Sequence, residues 1–181
     1  MNFENIINFI DIYHQNRIIK YIKKFKIDHF IDVGSHKGEF LSYLMKLNYK
    51  NIYCFEPQKK IFKILSKRFG KKKRIKLYNL ALSDKNTFKN FYISKLTSTS
   101  TLSKSKNSFY SRFKNFIINS SSSYTEKKKI RTKKLDDIIY KKRLNNIFLK
   151  IDVEGFELNV LKGAKKLLLN KVKFVIVERQ F

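Results

Sequence analysis

The sequence predicts an α/β domain built on a mostly parallel sheet with helices on both faces, and three observations carry that expectation. From His29 to Glu178, short apolar runs alternate with stretches of helical period, the pattern of repeated strand–helix–strand units. The strand candidates read as apolar runs, as strands do when a sheet is covered on both sides. With 181 residues, 43% of them hydrophobic, the chain fits one domain whose core needs no staples.

The elements follow in order. Residues 3–25 read as an amphipathic helix, with Phe3, Ile6, Ile7, Ile10, Ile18, Ile22 and Phe25 at three- and four-residue steps and Lys20, Lys23 and Lys24 opposite. Packing on the edge of a domain is preferred for it over lying on a membrane. Strands are expected at His29–Val33, Asn51–Phe55, Arg74–Leu80, Phe88–Ile93, Ile147–Val153 and Lys173–Glu178. Helices are expected at Glu39–Leu47, Gln58–Phe69, Asp136–Lys142 and Glu157–Leu169. The division is a helix over 1–27 and a domain over 28–181, interrupted at about 94–129 by an aperiodic insert rich in Ser and Lys.

Composition narrows the setting. Cys54 is the only cysteine, which excludes an intrachain disulfide and a cysteine-rich zinc site. The start Met1-Asn2-Phe3-Glu4 lacks the basic region of a signal peptide, and no apolar run approaches the ~18 residues of a membrane span. A cytoplasmic protein is expected, with peripheral membrane contact left open. The formal charge of +27 attracts anionic partners. It comes from 34 lysines against seven arginines in a chain crowded with Ile, Asn, Phe and Tyr, so A/T-rich codons account for much of it. Dedicated phosphate readers favour arginine, so nucleic acid is not the favoured partner.

Three segments carry chemistry. Ile31-Asp32-Val33-Gly34-Ser35-His36-Lys37-Gly38 lies at the carboxyl end of the first strand, where open α/β sheets bind ligands. Gly34 allows a tight turn and close approach of a ligand, Gly38 lets the next helix start nearby, and Asp32 can accept from an amine or hydroxyl. A purely structural turn explains the same residues. The G-x-G-x-x-G fingerprint is absent, which argues against NAD and FAD. Cys54-Phe55-Glu56-Pro57 ends the second strand in an acid, the place of a carboxylate that holds ribose hydroxyls. In Leu149–Glu157, strand alternation sets Lys150, Asp152 and Glu154 on one face. Charges there are costly unless paired or functional, which makes Asp152 and Glu154 candidates for orienting a cofactor, taking a substrate proton or holding a cation, with Glu154 also open to a plain role at the start of the next helix. Glu157 is read as favouring the start of the following helix. No residue set has strong metal-ligand spacing.

These segments, in order with Ala81-Leu82-Ser83-Asp84, Leu135-Asp136-Asp137 and Val160-Leu161-Lys162-Gly163-Ala164, resemble the FkbM-type methyltransferases that depend on S-adenosylmethionine (SAM). The resemblance runs from about Ile31 to Glu178. It implies a Rossmann-like class I methyltransferase fold and O-methylation of a sugar, glycan or related small-molecule hydroxyl. It places Asp32, Gly34, Ser35, His36 and Gly38 around the methionine and ribose of SAM and Glu56 on the ribose, with Pro57 beside it. Asn79–Ser83, which contains Ala81 and Leu82, falls near the adenine, and Ser98–Leu102 near the acceptor. Where the family often has Ala-Asn after its first glycine, this chain has Ser35 and His36; His36 is read as contacting the cofactor carboxylate or capping the next helix, and the cap is preferred. The class I fold normally adds an antiparallel hairpin after the fifth strand, and the sequence ends at Phe181. A minimal enzyme, a partner that completes the sheet, a homodimer and a truncated reading frame are all expectations at this point. Rival readings are an RNA methyltransferase and a non-catalytic SAM-binding module.

Overall fold

The computed structural model describes Lys20 and residues 22–94 and 124–178. Most of the expected first helix and most of the insert, Ser98–Leu102 included, lie outside the described residues.

The elements are β1 (His29–Val33), α1 (Glu39–Leu44), β2 (Asn51–Phe55), α2 (Lys59–Phe69), β3 (Ile75–Tyr78), β4 (Ala81–Leu82), β5 (Thr87–Ser94), β6 (Tyr124–Lys133), α3 (Leu135–Ile139), β7 (Ile147–Ile151), α4 (Glu157–Gly163), α5 (Lys165–Asn170) and β8 (Val172–Val177). Five strands form a parallel sheet in the order β3-β2-β1-β7-β8. Crossover to opposite sides of β1 makes the gap between β1 and β7 the switch point of the sheet.

Alternation along β1 divides the core. Ile31 and Val33 face one way, into a cluster with Phe55, Leu149, Ile151, Leu135, Val160 and Leu167, which brings α3, α4 and α5 to that face. Phe30 faces the other way with Leu41, Leu44, Leu65, Phe69 and Phe148, under α1 and α2. There the Phe30 ring stacks on Phe148 at 4.8 Å and Phe148 on Phe174 at 5.2 Å. Burying a side chain such as Phe or Leu contributes roughly 1.5–3 kcal/mol, so these two layers are the main source of stability.

A second sheet, β4-β6-β5, stands beside the first. It corrects the expected aperiodic insert at its far end: Tyr124–Lys133 is a strand, antiparallel to β5 from Thr87↔Thr132 to Ser94↔Tyr124. The segment gave no strand signal because its side chains are nearly all polar. Other boundaries move for local reasons. The expected strand Arg74–Leu80 stops at Tyr78, and Ala81–Leu82 pairs instead with Thr132–Lys133. The expected helix Glu157–Leu169 breaks at Ala164, whose φ of −114° and ψ of 13° leave the helical region. The break begins α5 afresh, and Asp136 caps it by accepting the N–H groups of Lys166 and Leu167, both at 2.9 Å. Just before it, Gly163 presses against the Ser83 carbonyl, where a Cβ would lie 2.0 Å from the oxygen. The Asp-Asp, Ser-Asp and Gly-Ala signatures are therefore joints of the scaffold.

Candidate active site

Because the strands are parallel, the turns after β1, β2, β3 and β7 gather at one edge. The turn after β1 is tied to β2 by the Gly34 and Ser35 N–H groups, which donate to the Phe55 carbonyl at 3.0 and 3.1 Å. The Asp152 N–H donates to the Val33 carbonyl at 2.9 Å, and the Glu56 N–H to Tyr78 at 3.0 Å. Asn79 closes the row by donating to the Glu56 and Pro57 carbonyls at 2.9 and 3.0 Å. Asp32, Glu56 and Asp152 are thus brought to one edge, as the sequence led us to expect.

The structure bears out the tight-turn reading of the two glycines and adds close packing to it. A Cβ on Gly34 would stand 1.8 Å from the Asp152 carbonyl oxygen, and one on Gly38 2.5 Å from the Phe69 ring. Their φ angles are +84° and +83°, a region that costs other residues strain. The backbone of Asp152 and the Phe69 ring thus pack directly on these two glycines.

Asp32 is fully buried, and neither carboxylate oxygen has a hydrogen-bond partner. Register sets it beside Lys150 on β7 and Cys54 on β2. Burial pushes its carboxyl above the ordinary range, while the Lys150 charge works the other way. Burial also pushes the Cys54 thiol up, with the Asp32 charge adding to it. Ser35 is buried and spends its hydroxyl on the Asp32 carbonyl at 2.9 Å, locking the turn.

Glu56 is buried as well. Its two oxygens accept the N–H groups of Gln58 at 2.7 Å and His36 at 3.1 Å. Burial pushes its carboxyl up to about 7 despite those bonds. The expected capping by His36 is corrected. His36 adopts φ 47°, its Nδ1 lies 3.4 Å from Glu39 Oε2, and the N-cap of α1 is Gly38, without a side-chain cap.

On β7 the strand ends at Ile151, so Asp152 and Glu154 lie in the turn beyond it, not on the strand. Lys150 is the residue that sequence reasoning left out of the site. Its ammonium donates to Asp152 Oδ2 at 2.9 Å and sits 5.6 Å from the centre of the Phe40 ring. Burial works against that ammonium, yet the carboxylates of Asp152 and Asp32 hold its pKa above the ordinary value. The signal lay in the cross-strand register of Asp32 and Lys150, which no single segment contains. The Asp152 side chain is 30% exposed against 9% for Lys150, so the acid is the member of the pair a substrate can reach. Glu154 adopts φ 55° in the turn, followed by Gly155 at φ 92°. Glu157 accepts the Gly155 N–H at 2.7 Å and closes that turn. Ala81 and Leu82 place their side chains in the core, and only the neighbouring chain around Asn79 reaches the edge.

Removing the Lys150 charge leaves two acids facing each other. Lys150→Met is expected to lower stability by about 3 kcal/mol, measured by denaturant unfolding at neutral pH. Pairing it with Asp32→Asn should recover about half of that loss, and a strictly additive double mutant would disprove the coupling.

A five-stranded parallel sheet of this order, with acids and tight glycine turns at its switch point, defines a Rossmann-like α/β domain of the methyltransferase kind. The family described as the Methyltransferase FkbM domain matches residues 32–181, so the chain belongs to that family and is a methyltransferase. No curated protein matches it. Among the described residues, no helix is long and apolar enough to cross a membrane, and no three His, Cys, Asp or Glu side chains are grouped to hold a metal ion.

Proposed function

We propose that the enzyme transfers a methyl group from SAM to a hydroxyl of a sugar, glycan or related small molecule. The observation that carries this reading is the pair of buried acids at the carboxyl ends of β1 and β2. Asp32 has two oxygens without a donor and Glu56 a carboxyl raised to about 7. Buried acceptors left unpaired are costly, and a cofactor rich in hydroxyl and ammonium donors relieves that cost. The residues present fit such a group.

In this reading Glu56 holds the ribose hydroxyls, while the backbone of residues 34–38 shapes the turn around the cofactor. The sulfonium of SAM brings a methyl group that is already activated. What remains for the protein is to align the acceptor and take up one proton. Asp152 takes that proton from the acceptor oxygen, with Lys150 fixing the carboxylate in place and Glu154 as the neighbouring acid.

Calorimetric titration with SAM and S-adenosylhomocysteine tests the cofactor, with Glu56→Gln beside the parent. The substitution keeps the volume and loses the charge, so affinity should fall about 30-fold, the value of one hydrogen bond to a charged group. A folded parent that binds neither compound would overturn the reading. The same variant has a stability signature. The folded-state pKa of Glu56 is raised, so folding retains a proton that the unfolded chain releases between about pH 4.5 and 7. That contribution is fully present below the unfolded value and is lost as pH rises through the folded one, by about 3 kcal/mol. Glu56→Gln should therefore gain on the parent by about that amount between pH 5 and 8, and parallel stability curves would contradict it.

A further inference from the structure

The β5–β6 hairpin has two faces of opposite character. Phe91 and Thr132 are buried on the inner face, and Lys89 there lies 4.6 Å from the centre of the Phe156 ring. The cations of that face are paired: Lys89 with Asp84 at 3.3 Å, and Lys128 with Glu126 at 2.9 Å. The outer face carries Phe88, Asn90 and Tyr92 on β5, directly opposite Arg131, Lys129 and Lys127 on β6. Those three cations are exposed and have no carboxylate partner among the described residues. Phe88 beside them is 60% exposed.

The two acids that pair with hairpin cations, Asp84 and Glu126, are engaged by Lys89 and Lys128 of the inner face. An outer face whose three ladder charges are all positive, with an exposed ring at its edge, has the make-up of a surface that meets an anionic layer. We propose that the outer face of the β5–β6 hairpin docks the enzyme onto an anionic lipid surface, with Lys127, Lys129 and Arg131 over the headgroups and Phe88 entering between them. Two of the three cations are lysines, point charges suited to a diffuse negative surface and less suited to bidentate reading of a phosphate. The face is also a ladder of two paired strands, without, among the described residues, the aromatic-lined groove that tracks a strand of nucleic acid. This inference is independent of the methyl donor and acceptor.

The test is vesicle sedimentation of the full chain at physiological salt. Phosphatidylcholine vesicles with about 30% phosphatidylserine are compared with phosphatidylcholine alone. Each near-surface cation is worth roughly five-fold in partitioning, so Lys127→Gln/Lys129→Gln/Arg131→Gln should bind the anionic vesicles about 100-fold more weakly. Phe88→Ser alone should lose about ten-fold. The control is Lys71→Gln/Lys72→Gln/Lys73→Gln, which removes the same charge from the exposed turn after α2. It should lose less than ten-fold, and thermal melts show whether each variant is folded. Equal losses from both triple variants would mean that net charge alone drives binding and would overturn the proposal. It is also overturned if the hairpin variant keeps its vesicle affinity while losing affinity for poly(U), which would make the face an RNA platform.

Discussion

Gly34→Ala is expected to lower stability by about 4 kcal/mol, an estimate built from two costs. A left-handed φ of +84° carries roughly 1–2 kcal/mol for a residue with a Cβ. The methyl group would also lie 1.8 Å from the Asp152 carbonyl oxygen. That oxygen belongs to the backbone and cannot swing aside like a side chain, and forced displacement in a packed interior costs about 1–3 kcal/mol or more. In a domain of this size the melting temperature should fall by about 10 °C. The outcome separates two accounts of the glycine. If Gly34 serves only the turn and the approach of a ligand, alanine costs affinity and the melt falls by no more than the roughly 1–2 kcal/mol of left-handed strain, about 5 °C. If it serves the packing of the β1 turn on the β7 turn, the melt falls by about 10 °C even without cofactor. A melt within about 5 °C of the parent would refute the packing account.

The contrast shows what was legible in the sequence. β1 and β2 fall where the sequence places them, at His29–Val33 and Asn51–Phe55, because strands buried on both faces write themselves as apolar runs. α2 was readable for a related reason: Ile61, Leu65 and Phe69 recur at four-residue steps and are all buried. β6 was not, since a strand that shows one face to solvent and bears Lys127, Lys128, Lys129 and Arg131 has no apolar run to read. The break between α4 and α5 was equally hidden, because it answers to Ser83 and Asp136, residues distant in sequence. The site divides along the same line. Glu56 and Asp152 were legible as acids at strand ends, a local feature. That Lys150 stands between Asp32 and Asp152 depends on the register of β1 against β7, which only the folded sheet supplies. Local pattern named the acids, and tertiary register supplied the cation that keeps them together.

That cation sets the terms for the last and largest expected effect. Asp152→Asn should lower kcat by about 10²–10⁴-fold, the range for loss of a positioned proton acceptor, while SAM affinity stays within a few-fold of the parent. The amide oxygen can still accept from the Lys150 ammonium, which lies 2.9 Å from Oδ2 in the parent, so the turn after β7 keeps its anchor. What disappears is the carboxylate itself, 30% exposed at the edge where the acceptor must arrive. A purely structural Asp152 would show the reverse, a lowered melt with kcat preserved in the folded fraction. Glu154→Gln supplies the comparison. Glu154 stands two residues further along the turn at φ 55°, while the Lys150 ammonium is engaged by Asp152, and its loss should cost less than ten-fold in kcat. If Glu154→Gln proves the more damaging change, the proton goes to Glu154 and the Lys150–Asp152 pair is a brace for the turn. If Asp152→Asn leaves both turnover and the melt intact, neither the base nor the brace reading of its charge survives, and the alignment of donor and acceptor alone accounts for the rate.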